Sequence, residues 1–117
     1  MSFDFNNDMP IFLQIIEHIK GLIISNKYKP NEKLMSVREM SMEYGVNPNT
    51  IQKALAELEN LGLIYTERTL GKYVTRDTAL IDRFKKQYVN DKVQEFFSSM
   101  EKMGLSKKDV LDILNKE

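Results

Sequence analysis

Between Asn47 and Lys53 the chain reads Asn-Pro-Asn-Thr-Ile-Gln-Lys. Three carboxamides, a hydroxyl and an ammonium are gathered in seven residues without one carboxylate. A carboxamide donates and accepts at once, so Asn49 or Gln52 can pair bidentately with the edge of an adenine. Thr50 and Lys53 would mostly hold anionic oxygens, which suits a phosphate backbone. This chemistry needs all five groups on one rigid surface, and the stretch reads as the first two turns of a helix. Asn47 is a good N-cap, and Pro48 belongs at the first helical position, where no N–H is required. A helix start also carries partial positive charge and free N–H groups.

The elements that must position this stretch follow from the flanking pattern. Its own helix runs from Pro48 to about Leu61, with Ile51, Ala54, Leu55, Leu58 and Leu61 on the apolar side and Gly62 as the stop. Asn49, Gln52, Lys53, Glu57 and Asn60 stay outside, and the acids fall in the C-terminal half. Upstream, Tyr44-Gly45-Val46 reads as a short turn closing a helix that Ser36 caps. Ser36-x-x-Glu39 is a capping-box pattern. Val37, Met40 and Tyr44 form the buried side, with Ser41 small enough to pack there, and Arg38 faces outward beside the cap, able to reach a phosphate. An earlier helix begins at Ile11, its stripe made of Ile11, Phe12, Ile15, Ile16, Ile19, Leu22 and Ile23. Gln14, Glu17, His18 and Lys20 take its polar side, Asp8 is the expected cap with Pro10 inside the first turn, and Ser25-Asn26 ends it. His18, the only histidine, reads as a solvated surface residue. Residues 1–10 read as an extended arm.

Beyond Gly62, the β-prone runs Leu63–Glu67 and Lys72–Thr75 flank Arg68-Thr69-Leu70-Gly71, the pattern of a hairpin whose tip carries Arg68 and Lys72 free for backbone phosphates or a minor groove. Helix, glycine turn, polar-fronted helix and hairpin in this order describe a winged helix-turn-helix, which reads DNA. The composition changes near Asp77. Leu80, Ile81, Phe84, Tyr88, Val89, Val93, Phe96, Phe97, Met100 and Met103 suit one long amphipathic helix stopped by Gly104, and Ser106-x-x-Asp109 opens a last short one. An apolar tail of about 40 residues cannot build a core alone. A second copy of the chain is its economical partner, through Ile81, Phe84, Tyr88, Val93, Phe96, Phe97 and Met100. The expected architecture is mainly α with a small β-hairpin: a winged helix-turn-helix domain over residues 1–77, then a short all-helical dimerisation segment over 78–117.

Bulk composition excludes several classes. There is no cysteine, so disulfides and thiolate metal sites are ruled out. A single histidine and acids scattered over helix exteriors argue against an enzyme, a metal site or a cofactor. The acidic N-terminus is no signal peptide and no apolar run spans a membrane, which points to a cytoplasmic protein. Seventeen basic and 17 acidic side chains cancel. That neutrality predicts weak non-specific binding to nucleic acid and keeps a second reading open, a protein-interaction module on a winged-helix scaffold.

Taken together, Pro10-Ile11-Phe12-x-Gln14-Ile15, Leu34-x-Ser36-x-Arg38-Glu39-Met40, Tyr44 through Ala54, Leu58-x-x-x-Gly62-Leu63-Ile64 and Gly71-x-Tyr73-Val74 resemble the GntR family of bacterial transcription regulators. The short helical tail and the Asn-Pro-Asn-Thr helix start are similar to its YtrA-type subfamily, whose C-terminal part serves in dimerisation. The resemblance implies a homodimeric repressor that reads a palindromic operator in the major groove and controls a neighbouring transporter operon. It places DNA contacts at Arg38, Pro48, Asn49, Thr50 and Lys53, and on the wing around Gly71 and Lys72. Met35 stands where the family usually has proline, and Thr69-Leu70-Gly71 replaces a tip that usually has two glycines. The tail is too short to enclose a ligand pocket of the usual size, about 300 Å³ or more. Room for an unidentified small-molecule effector is left only at a dimer interface or at the junction of the two parts.

Overall fold

The two helices on either side of the glycine turn start and stop where local devices make them. Ser36 caps α2 (Val37–Tyr44) by a complete capping box: its Oγ accepts from Glu39 N at 3.1 Å, and Ser36 N donates to Glu39 Oε1 at 2.8 Å. Gly45 ends it in the left-handed region at φ +66°, while Ser41 Oγ donates to Val46 O at 2.5 Å across the turn. Asn47 then caps α3 (Pro48–Asn60), its Oδ1 accepting from Asn49 N at 2.8 Å. Gly62 closes α3 at φ +82°, and a Cβ there would lie 3.2 Å from Leu80 Cδ2, so the stop also makes room for a neighbour.

The computed structural model describes residues 4–116, and the chain divides into two compact units between Asp82 and Arg83. In the first, α1 (Ile11–Ile24), α2, α3 and the hairpin of β1 (Ile64–Glu67) with β2 (Gly71–Val74) enclose one core. Ile15, Ile19, Ile23, Met40, Ile51, Leu55, Leu58, Leu63, Ile64 and Val74 are its fully buried large side chains. The strands pair antiparallel with Thr66 opposite Lys72 and Glu67 opposite Gly71. The proline-containing loop before α2 runs along the outer edge of β2. Leu34 N donates to Lys72 O and Val74 N to Glu32 O, both at 2.9 Å. That covers an edge which would otherwise present unpaired backbone groups.

Three expectations for α1 are corrected. Asp8 does not cap it; Pro10 is the N-cap residue, outside the helix, and no side chain caps this end. Proline satisfies the position by another route, because its carbonyl accepts from Leu13 N at 3.1 Å and Gln14 N at 3.3 Å. Gln14 is buried, not solvated: its Nε2 donates to Asn6 O and Met9 O at 2.9 and 2.8 Å, and its Oε1 accepts from Asn6 N at 3.1 Å. One amide thereby ties residues 6–9 of the arm to the first turn, while the arm's first three residues lie outside those described. His18 is half-buried with its ring edge-on to Tyr44, centroids 5.5 Å apart, and burial holds the imidazole below its ordinary pKa.

The second unit contains the rest of α4 (Thr78–Lys102) and α5 (Lys107–Leu114). Gly104 separates them at φ +87°, and Ser106 with Asp109 forms the expected capping box at 2.9 and 3.1 Å. Val110 is the buried residue of α5, and α4 has no fully buried side chain among those described.

Leu58→Ala should lower the stability of the first unit by about 2–5 kcal/mol, the range for a buried leucine leaving a cavity. Met42→Ala, at an exposed position, should stay within about 0.5 kcal/mol. Urea denaturation followed by circular dichroism checks both.

Candidate nucleic-acid interface

Burial of Ile51, Ala54, Leu55 and Leu58 turns one side of α3 inward and leaves Asn49, Gln52, Lys53 and Ala56 as an exposed row at i, i+3, i+4 and i+7. Asn47 and Pro48 are exposed at the helix start, and Thr50 is half-buried beside them. Asn47 Oδ1 is committed to the cap. Among the described residues, no hydrogen bond or ion pair engages the side chains of Asn49, Thr50 or Gln52. Their donors and acceptors are available to an external partner. Lys53 is exposed with its Nζ 3.9 Å from the centre of the Phe12 ring, so a cation–π contact with α1 steadies this ammonium.

Arg38 is the second residue of α2, exposed and without an ion pair to any described residue. The start of α2 and the hairpin border one cleft of about 400 Å³, lined among others by Ser36, Glu39, Leu55, Thr66, Leu70 and Lys72. The turn at the end of the hairpin is Arg68-Thr69-Leu70, all exposed. Thr69 has φ +68°, a conformation that a β-branched residue rarely adopts. Gly71 has φ +125°, a backbone conformation that L side chains rarely adopt, so glycine is required there by the turn itself.

Lys72 departs from expectation. It is not a free cation at the tip but a half-buried residue of β2 facing Thr66. Its Nζ donates to Glu59 Oε1 at 2.9 Å and to Thr66 Oγ1 at 2.8 Å, and the Thr66 hydroxyl donates in turn to the Glu59 carboxylate at 3.1 Å. The hydrogen bond from Lys72, with a smaller contribution from Thr66, holds the Glu59 carboxyl below its ordinary pKa against the opposing effect of burial. Sequence reasoning missed Glu59 and Thr66. Strand register would have paired Thr66 with Lys72, but only the packing of α3 on β1 brings Glu59 to them.

The residues expected to pair two copies fall in both units. Ile81 is half-buried in the first unit. In the second, Phe84, Phe97 and Met100 are half-buried, whereas Tyr88, Val93 and Phe96 are 41–48% exposed. Phe96 and Phe97 meet edge to face at 5.6 Å, and Lys107 Nζ lies 5.6 Å from the centre of the Phe97 ring. No group of three or more His, Asp or Glu among the described residues could hold a metal ion.

The Glu59 pair carries a pH signature. A carboxyl whose folded pKa is depressed adds stability above its unfolded pKa, and that stability is lost as pH falls through the folded value. Thermal unfolding of the native chain should therefore weaken on acidification below the ordinary glutamate range more steeply than that of Glu59→Gln. Parallel melting curves would exclude the pair as a stabilising contact.

The model of the bacterial regulatory proteins of the gntR family matches residues 12–74. Over 96% of its length the chain is 34% identical to the HTH-type transcriptional regulator YhcF of Bacillus subtilis, 93% of which is covered. It is 39% identical to the HTH-type transcriptional repressor YtrA of the same organism, over 70% of this chain and 65% of that one. Among solved structures, a GntR family transcriptional regulator from Listeria monocytogenes superposes with TM-score 0.88 at 37% identity, covering 97% of this chain and 99% of the other. The AraR(DBD) solved in complex with operator ORX1 superposes with TM-score 0.59 at 26% identity, over 64% of this chain and 95% of that one. The chain belongs to the gntR family of bacterial regulatory proteins and is a DNA-binding transcriptional regulator of the winged helix-turn-helix type.

Proposed function

We propose that this regulator is a cytoplasmic homodimeric repressor that reads a palindromic operator with the N-terminal half of α3. The observation that carries the reading is the exposed row on α3, where Asn49 and Gln52 keep uncommitted carboxamides on a helix whose opposite face is fully buried. Asn49 and Gln52 read base edges in the major groove. Thr50, Lys53 and the start of the helix at Asn47-Pro48 hold the adjacent backbone, and Arg38 holds a phosphate from α2. Arg68 and Gly71 bring the hairpin turn to the duplex. Lys72 is left out of this set because its ammonium is engaged by Glu59 and Thr66. The AraR(DBD) complex with an operator supports the operator-binding part of the proposal. The repressor YtrA, similar over most of the chain, supports the direction of control; a neighbouring transporter operon, which the resemblance to the YtrA-type subfamily implies, is the proposed target.

A second copy is the proposed partner of the tail. Tyr88, Val89, Val93 and Phe96 on α4, with Leu111, Ile113 and Leu114 on α5, are apolar side chains 41–55% exposed. A soluble chain does not leave such a run open to water at no cost. Two-fold pairing would set two α3 helices one turn of DNA apart, about 34–36 Å. An effector, if one acts, would bind where two copies meet.

Selection of duplexes by the purified protein, followed by footprinting, should return a palindrome. Asn49→Ala should then weaken operator binding by about 1–3 kcal/mol while leaving random duplex unaffected. Arg38→Ala should weaken both and reduce the salt slope by about 0.9 per protomer. Protection of no palindrome would refute the repressor reading and favour a protein-interaction role. For the tail, Val93→Asp with Phe96→Asp should convert a dimer to a monomer by light scattering, with circular dichroism of the first unit preserved. A native protein that is monomeric at micromolar concentration would exclude the dimer.

A further inference from the structure

We infer that Glu59 serves as an internal stand-in for phosphate: it holds Lys72 against α3, fixes the hairpin to that helix, and keeps this cation out of the charges that DNA neutralises. The inference rests on the DNA-binding reading above and adds a residue outside the contact set. Lys72 is the only cation in the two strands, whose sequences are Ile-Tyr-Thr-Glu and Gly-Lys-Tyr-Val. A free ammonium there would be the natural strand contact to a backbone. Instead its donors are aimed at a carboxylate on α3 and at the hydroxyl opposite it in the ladder.

Carboxylate and phosphate oxygens make the same charge-assisted bond to an ammonium. A duplex therefore meets a Lys72 ammonium that already has two of its three donors committed, to Glu59 at 2.9 Å and to Thr66, whose hydroxyl lies 3.1 Å from both carboxylate oxygens. The Glu59 carboxylate also offsets the charge of that ammonium. The pair is only partly screened: side-chain exposure is 31% for Lys72 and 39% for Glu59. The geometry has two consequences. The hairpin is held to α3 before DNA arrives, which lowers the ordering cost of binding. A cation that would have bound any duplex is also silenced, which favours sequence-dependent contacts over sequence-independent ones.

Fluorescence anisotropy of the full chain with a labelled random-sequence duplex, over a salt series, tests this with three variants. Lys72→Gln should leave the slope of log K against log salt unchanged. Glu59→Gln should steepen the slope by about 0.9 per protomer and raise low-salt affinity, because a freed ammonium displaces one more counterion. Adding Lys72→Gln to Glu59→Gln should abolish that gain. A native slope that flattens by about 0.9 with Lys72→Gln alone would overturn the inference and return Lys72 to the contact set. So would a Glu59→Gln protein indistinguishable from native in slope and affinity. Should Glu59→Gln fail to fold, carbon-13 NMR of the native protein decides: a Glu59 carboxyl titration unchanged by saturating duplex supports the pair, and an upward move with duplex overturns it. A native protein that binds no duplex at any salt removes the DNA-binding reading itself, an outcome distinct from a binder whose Lys72→Gln variant has a flattened slope.

Discussion

The contact on which the rest depends is the burial of one face of α3. Ile51, Ala54, Leu55 and Leu58 lie against the core that α1 supplies with Ile15, Ile19 and Ile23. Each fully buried leucine or isoleucine contributes about 1.5–3 kcal/mol relative to exposure. That sum makes the helix rotation non-negotiable. A helix pinned along one stripe must present the opposite stripe to water, so the row from Asn49 to Ala56 is exposed as a consequence of the core. The capped start at Asn47 and Pro48 then decides where along the axis that row begins.

Charge is arranged around this helix rather than accumulated on it. The chain is neutral, and its cations have separate duties. Lys53 rests over Phe12, Lys72 is bonded to Glu59, and Arg38 and Arg68 stand exposed without ion pairs to described residues. The acids of α3 lie past its midpoint, where Glu59 meets the hairpin, away from the N-terminal half of the helix. A neutral protein can bind a polyanion if the few unpaired cations flank the groups that read bases, and such a protein depends less on counterion release.

The tail obeys a different constraint. Its helices are correctly started and stopped by local devices, yet α4 buries no side chain fully and α5 buries Val110. Propensity and capping alone support a helix only marginally in water, so tertiary or quaternary packing has to supply the remainder. The half-exposed aromatics of α4 are what the proposed pairing of two copies would cover, and Phe96 and Phe97, packed edge to face, would widen that surface.

What the sequence determined alone is what short-range physics controls. Ser36 with Glu39, Asn47 with Pro48, Gly45, Gly62, Gly104 and Ser106 with Asp109 act within four residues, and the i, i+3, i+4 stripe of α3 needs no other part of the chain. The helices, the hairpin and the exposed carboxamides were therefore legible. Asp8 failed as a cap even locally, because Pro10 took that position with its own carbonyl. Tertiary structure decided the rest. It buried Gln14 beneath the arm, set His18 against Tyr44, zipped residues 31–34 onto β2 and turned Lys72 from a free cation into half of an ion pair. In each case a group found a neighbour that periodicity cannot indicate, because a backbone or side-chain group is solvated or committed according to what the fold brings close to it.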